Sequence, residues 1–386
     1  MLKTFVAHTT ELDDLNLAVS EVVSGLNLDK NLCKNSVGII ACHQEFIASG
    51  VVKALSEALP FQLVGTVSFA QATAAQAGSL VLTVMLLTSD HAEFVSVLTP
   101  SLAEEAGRVI SDSYIAATAT RPDKPALIMP FAPFLMQNSG DEYVEVLTKV
   151  SGGVPCFGTL AIDDSSDFST CFMIANGQEH TDKMCMLLIY GEIKPKFFVA
   201  NLSADTMFGK AAIVTKSHGH VIEELNGKPV SKYFEDLGLT RATEEKHGMS
   251  SLPFLVDFQD GTPPVSKIFI TLTPENHALC AGAVPENSLL HIANGDGNDV
   301  IHTAGAAIDN LLAHASEASG ALMYSCIARS MAFGVKQFEE INLITEKLQN
   351  KLPFMLANSG GEICPTSIAS SATNRFHNFA LIICLF

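Results

Sequence analysis

Cys326 and Arg329 are the residues whose setting most suggests chemistry. They lie in "ALMYSCIARSMAFG", Ala321 to Gly334, which reads as a short apolar strand, a turn and a helix. A thiol at a helix N-terminus beside an arginine can have a lowered pKa and act as a nucleophile. Such an enzyme also needs a base oriented by a third group, and His377 is the nearby candidate. The other reading is a binding turn. Arg329 would then pair with Glu362 or take a ligand's carboxylate in bidentate fashion.

A second chemistry-bearing stretch is "ANSGGEICP", which places Asn358, Ser359, Gly360, Gly361, Glu362 and Cys364 in a loop after a strand. Paired glycines let backbone approach a ligand closely. "RFHNFA" adds Arg375, His377 and Asn378 before the last strand. Three further clusters read as structural. His218 and His220 flank Gly219, which marks a hairpin turn more than a shared metal. Cys42 and His43 are strand neighbours, so their side chains point to opposite faces. Asp163, Asp164 and Asp167 lack the glycine and distal glutamate of a calcium loop and read as a solvated acidic turn.

These residues need elements to hold them, and the chain supplies a repeated set. Three times an apolar strand leads through a loop to an amphipathic helix, a proline, a strand and a later apolar strand. The copies begin at "SVGIIAC", "PALIMPF" and "GALMYSC". The helical period puts Val51, Val52, Leu55 and Leu59 on one face. It does the same for Tyr143, Val146, Leu147 and Val150, and for Phe338, Ile341, Ile344 and Leu348. Pro60, Pro155 and Pro353 end the helices and start extended chain. Between the second and third copies lies a strand-rich region with a turn at Asn226-Gly227 and a short helix from about Val230. The expected fold is α+β: a layered α/β sandwich with mixed sheets flanked by helices, in two related domains, 1–205 and 206–386, with weak internal repeats.

Composition narrows the function classes. The 386 residues carry 23 Lys+Arg against 41 Asp+Glu, a formal charge of −18. Such a chain repels nucleic acid and anionic membrane surfaces, so neither is expected as a partner. No stretch reaches the ~18 apolar residues of a membrane span. Nine cysteines without a C-x-x-C, and no visible export signal, point to reduced thiols in the cytoplasm.

The blocks together resemble the FIST family, F-box and intracellular signal transduction proteins. "LVGTVSFAQA", "SLVLTVMLL" and "CFGTLAIDDSSDFSTCFMIANGQEHTDKMCMLLIYG" are similar to its N domain. "VIEELNGKPVSKYFEDLG", "AVPENSLLHIANGD", "ALMYSCIARSMAFG", "LPFMLANSGGEICP" and "FHNFA" are similar to its C domain. The resemblance implies a sensory, ligand-binding module rather than an enzyme, with small molecules such as amino acids as ligands. In some members it implies haem that reports nitric oxide. By resemblance Ser325, Cys326 and Arg329 fall in a Ser-Cys-x-x-Arg block. Gly361, Glu362 and Pro365 fall in a Gly-Glu-x-x-Pro block, and His377 and Asn378 in a terminal His-Asn. The first copy departs from the pattern, with Ala70 and Gln71 where the family often has Gly-Glu.

The expected function is a stand-alone cytoplasmic sensor. It would bind a small ligand, an amino acid or other small anion, and signal through a separate partner protein. Its ligand residues would be Ser325, Cys326, Arg329, Asn358, Gly360, Gly361, Glu362, His377 and Asn378, with no catalytic residue and no metal. The alternatives are a haem sensor using His377, His43 or His291 as axial ligand, and a thiol enzyme using Cys326.

Overall fold

The computed structural model describes residues 2–135, 138–165, 168–238, 252–367 and 373–386. Its first unit runs β1 (Lys3–Thr9), α1 (Leu15–Leu26), β2 (Asn35–Cys42), α2 (Val51–Ala58), β3 (Gln62–Val67), a hairpin of β4 (Gln71–Ala72) and β5 (Ala77–Gly78), and β6 (Leu82–Ser89). The second repeats this order: β7 (Glu93–Leu98), α3 (Ala106–Thr118), β8 (Leu127–Ala132), α4 (Gly140–Ser151), β9 (Gly158–Leu160), a hairpin of β10 (Met173–Ala175) and β11 (Gln178–His180), and β12 (Cys185–Tyr190). The third unit opens with β13 (Lys196–Ala200) and is then interrupted.

The interruption is a small barrel. It contains β14 (Ala212–His218), β15 (Val221–Leu225), β16 (Lys228–Pro229), α5 (Val230–Asp236), β17 (Leu252–Asp257), β18 (Val265–Leu272), β19 (Ala278–Cys280) and β20 (Leu289–Ile292). The strands run β14-β20-β17-β18-β19-β15, and pairing of β14 with β15 closes the ring. Asn226 and Gly227 both have positive φ, 54° and 72°, the conformation of a two-residue hairpin turn. His218-Gly219-His220 is the turn expected. His218 is exposed and faces Glu223, and its ring nitrogen is 3.2 Å from Oε1.

The third unit then resumes with α6 (Gly297–Ala313), β21 (Ala321–Cys326), α7 (Ile327–Met331), α8 (Glu339–Leu348), β22 (Phe354–Ser359), a hairpin of β23 (Glu362–Pro365) and β24 (Asn374–His377), and β25 (Leu381–Leu385). The layered α/β architecture with internal repeats is therefore present, and the repeats are tied together by exchange. The sheets run β1-β6-β2-β3-β10-β11, β24-β23-β9-β8-β12-β7 and β13-β25-β21-β22-β4-β5. Each unit builds four strands of its own sheet and sends its hairpin to extend another's. The hairpin of unit one joins the third sheet, that of unit two the first, and that of unit three the second. Position 205 thus marks no break between sheets: β13 edges the third sheet, and residues of the last unit complete the second.

The inner faces of all three sheets meet in one core, with Ile39 and Met85, Met129 and Leu187, and Tyr324 and Met355 among its members. Outer faces are covered by helices. Val51, Val52, Leu55 and Leu59 sit in the first layer, Tyr143 and Leu147 in the second, and Ile341, Ile344 and Leu348 in the third. These are the apolar stripes read from the sequence.

The register makes the units superposable residue by residue. Ala41, Phe131 and Tyr324 pair in parallel with Thr66, Thr159 and Ala357. Those three pair in turn with Met173, Glu362 and Gln71. Gln71 and Glu362 are therefore equivalent positions. Their cross-hairpin partners are Gly78 and His377, and that of Met173 is His180. By the same register Cys42 matches Ser325, and His43 matches Cys326.

Candidate functional site

The expected site residues gather where β21, β22 and the β23–β24 hairpin meet strand β18 of the barrel, but they divide into two groups with different roles. Ser325 and Arg329 belong to the first. Arg329 has no exposed surface, and its Nε and Nη2 bond Glu340 Oε1 at 2.8 and 2.6 Å. Its remaining donors reach the carbonyls of Ala200, Phe379 and Val300 and the hydroxyl of Thr303. The Ser325 hydroxyl donates to Glu340 Oε2 at 2.6 Å. This corrects the expectation that Arg329 pairs with Glu362 or takes a ligand's carboxylate. Its fork is filled by Glu340 and by protein carbonyls, and the Ser325 hydroxyl is committed to the same acid.

Glu340 was missed in the sequence reading, although a signal was there. Glu340, Ile344 and Leu348 are spaced by four and all buried, so an acid sits inside the apolar stripe of α8. A buried acid demands a buried partner.

The second group is different in kind. Glu362 is fully buried, and neither carboxylate oxygen meets full hydrogen-bond geometry, although the Ser359 hydroxyl, the Cys326 thiol and the Ala380 N–H face it. Both atoms of the Asn378 amide, Asn358 Oδ1 and His377 Nδ1 are buried and unpartnered. Native proteins leave few such groups, because each unmet one costs about 1–3 kcal/mol. Of these, the Asn378 amide lies on the wall of a cavity, and its two unmet atoms ask for something to bind.

The backbone shapes the place. A Cβ on Gly360 would lie 2.6 Å from the Ala161 carbonyl oxygen, and one on Gly361 would lie 2.2 Å from Phe376 Cζ. Only glycine lets β22 turn into β23 this tightly. Gly360, Asn378 and Cys326 line a cavity of about 50 Å³, walled by Phe134, Ile162 and Phe168 and by Ile268, Ile270 and Ala281 of the barrel. Asn358 anchors the floor, donating through Nδ2 to the Ser325 carbonyl at 3.3 Å and Ser330 Oγ at 3.2 Å.

Burial pushes the Glu362 carboxyl well above the usual carboxylate range, opposed by Ser359, Cys326 and the guanidinium of Arg329. The Ser359 hydroxyl donates its proton to the Gly361 carbonyl at 2.8 Å. Burial, and then the neighbouring Glu362, push the Cys326 thiol up. A nucleophilic cysteine needs the reverse shift. His377 does not supply a base to it: its Nε2 donates to the Cys364 carbonyl at 3.1 Å, and its basic Nδ1 has no hydrogen-bond partner, the thiol included. The geometry gives the thiol-enzyme reading no support.

Nor does haem fit this cavity. The cavity is far below the roughly 300–1,000 Å³ of pockets that enclose larger ligands. His377 is held to Cys364. His43 is held between Asp164, at 3.4 Å, and the Glu45 N–H. His291 lies in β20, opposite Leu255. Of the acidic turn, Asp163 is satisfied by donors from Ser165 and Thr170, and Asp167 lies outside the described residues.

Strand β18 holds the site from the barrel side. Lys267, with no exposed surface, places Nζ 2.8 and 2.9 Å from the Asp141 oxygens and 2.8 Å from the Phe376 carbonyl. The Asn378 N–H donates to the Ser266 carbonyl at 3.0 Å. The barrel therefore grips the chain on both sides of His377.

Burial also pushes the His377 imidazole down to about 3, and Lys267 and Arg375 add to the shift. The unfolded chain takes up a proton at this residue below about pH 6.5, while the native protein does not. Stability is therefore lost as pH falls from about 6.5 towards 3, by up to roughly 1.4 kcal/mol per pH unit from this group. His377→Gln is expected to flatten that part of the slope, measured as the urea midpoint between about pH 7 and pH 5. An unchanged slope would show that another group sets it.

Two family models match the chain, the FIST N domain over residues 36–228 and the FIST C domain over residues 230–365. No curated protein matches. Among solved structures, cyanuric acid hydrolase from A. caulinodans gives a TM-score of 0.36 at 11% identity, covering 99% of both chains. PurL of T. maritima complexed with FGAR gives 0.19 at 8% identity, covering 100% of this chain and 72% of that one. Both scores are too low to establish a shared fold.

Proposed function

The chain belongs to the FIST family, whose domains are sensory domains in signal transduction, and from that premise we propose that it is a cytoplasmic sensor for one small ligand. The ligand binds at the seam between the barrel and the last hairpin, and the signal leaves through a separate partner protein. The observation that carries this reading is the buried Asn378 amide, which has no hydrogen-bond partner on either atom and lies on the wall of the cavity between the last hairpin and the barrel. Cys326, Gly360 and Gly361 supply the wall and the close backbone approach, while Ser325 and Arg329 hold the turn in place.

A sensor needs a ligand with different affinity for two conformations. Strand β18 offers the means, since it walls the cavity through Ile268 and Ile270 and bonds the backbone around His377. A ligand that draws in Asn378 pulls on Ser266 and hence on the barrel. The cytoplasmic placement is supported by the net charge of −18 and nine free cysteines. No helix among the described residues is long and apolar enough to cross a membrane.

The test is a thermal-shift screen of small metabolites against the native chain and against Ala281→Phe, which fills the cavity. A hit should stabilise only the native chain and slow hydrogen exchange in Val265–Leu272. Stabilisation that survives Ala281→Phe would put the ligand elsewhere and sink the reading.

A further inference from the structure

We infer that the ligand of the seam between the last hairpin and the barrel is a small neutral primary carboxamide. Its carbonyl and its NH₂ group pair with the side chain of Asn378, and its short acyl chain lies against Phe168, Ile268 and Ile270. This rests on the seam being the ligand site, and it sets aside an amino acid or small anion.

Asn378 decides the head group. It is 1% exposed and lines the cavity, and neither Oδ1 nor Nδ2 has a hydrogen-bond partner. Its side chain presents an acceptor and a donor side by side. A primary amide is the complement of that pair, giving an N–H to Oδ1 and a carbonyl to Nδ2. A ketone would answer Nδ2 and leave Oδ1 unmet, and an ammonium would do the reverse.

The backbone holds this amide ready, so binding has little left to order. The Asn378 N–H donates to the Ser266 carbonyl at 3.0 Å, and the next carbonyl, that of Phe379, accepts from Arg329 Nη1 at 3.4 Å. Phe379 has a φ of 53°, a left-handed conformation that is costly for a bulky residue and is kept where the surroundings impose it.

The wall decides the charge. Among the described residues, none that lines the cavity is charged. The buried cations Arg329 and Lys267 are paired with Glu340 and Asp141. An ion entering the cavity would lose its water and gain no counter-charge. Water alone serves poorly, because a buried water makes about three hydrogen bonds and the wall beyond Asn378 is built mainly of Phe and Ile side chains. Size decides the rest. A cavity of about 50 Å³ exceeds the ~10–15 Å³ that one water needs, so it takes a molecule of roughly four or five non-hydrogen atoms. Met331 on its wall is 43% exposed, so a longer acyl chain can trail outward there.

The experiment titrates the full chain with propionamide at neutral pH and millimolar concentration, followed by ligand-observed NMR. Butanone has nearly the same shape without the NH₂ group, and it serves as comparator with sodium propionate and propylamine hydrochloride. The expected result is that propionamide binds roughly 10- to 100-fold more tightly than any comparator. In Asn378→Leu, which keeps the size of the side chain and removes both polar atoms, the preference for propionamide over butanone should vanish. Ala281→Phe should abolish binding of both. Equal binding of butanone or of either ion by the native chain overturns the carboxamide assignment. So does a preference that survives Asn378→Leu, or no binding of propionamide. If Asn378→Leu fails to fold, the native chain's preference and its loss in Ala281→Phe decide. If a different hit from the metabolite screen is lost in Ala281→Phe, the sensory site stands and only the ligand class falls.

Discussion

Replacing Glu340 with alanine is expected to destabilise the protein by about 3–5 kcal/mol, read as a fall in the urea midpoint. The substitution leaves the Arg329 guanidinium with no exposed surface and no counter-charge, and it strips the Ser325 hydroxyl of its acceptor. Arginine cannot escape by losing its proton. The loss should therefore be nearly the same at neutral and alkaline pH. A double replacement of Arg329 and Glu340 by apolar residues of similar size should recover most of it, since the pair's own net contribution is small once both charges are gone. A loss below about 1 kcal/mol in the single variant would show that the turn does not depend on this pair.

The second large effect is expected at Asp141. Its carboxylate holds the Lys267 ammonium and also accepts the Ala283 N–H at 2.6 Å, so one side chain ties α4 to two places in the barrel. Asp141→Ala should likewise cost about 3–5 kcal/mol at neutral pH. Here, however, the stranded cation is a lysine. Burial already pushes its amine below the usual lysine range, with Asp141 opposing that shift. The unfolded chain then binds more protons than the native one in the window below the ordinary lysine pKa, so stability rises with pH through it. The Asp141→Ala penalty should shrink towards about pH 10, whereas the Glu340→Ala penalty should not. Urea midpoints for both variants at neutral and alkaline pH separate the cases. Parallel curves would contradict the assignment of Lys267 as the stranded charge.

What the sequence made legible follows from how local each signal is. The helical stripes, the prolines that close them and the Asn226-Gly227 turn are written in neighbouring residues, and the structure has them where expected. The destination of each hairpin is not written locally. Gln71 pairs with Ala357, and nothing in "SFAQA" says which of three similar sheets it will join. Register suffers in the same way. Aligning the strand-to-helix turns by eye matches Cys42 with Cys326, whereas the ladder matches it with Ser325 and sets His43 opposite the thiol position.

The site was half legible. Glycines and polar residues together before a final strand single out Glu362, Gly360, Gly361, His377 and Asn378, and of these Gly360 and Asn378 line the cavity. Arg329 was assigned a partner by proximity of motifs, and the real partner lay on an apolar helix face. Lys267 was passed over because one lysine in "KIFITL" reads as the exposed side of a strand, and only the fold shows Asp141 waiting for it.

The exchanged hairpins make this chain a covalent counterpart of a domain-swapped trimer, with three protomers fused into one. Each unit lends an arm and receives one, and the circle closes between the two ends of the chain. No unit is a self-sufficient folding domain, because its sheet stays two strands short until an arm arrives from another. Those closures span up to hundreds of residues, so the topology carries a high contact order and slow, late-committing folding. The barrel sits in one of the connections rather than in the ring itself. The ring of sheets thus closes without the barrel, which is held to it by side contacts such as the Lys267–Asp141 pair.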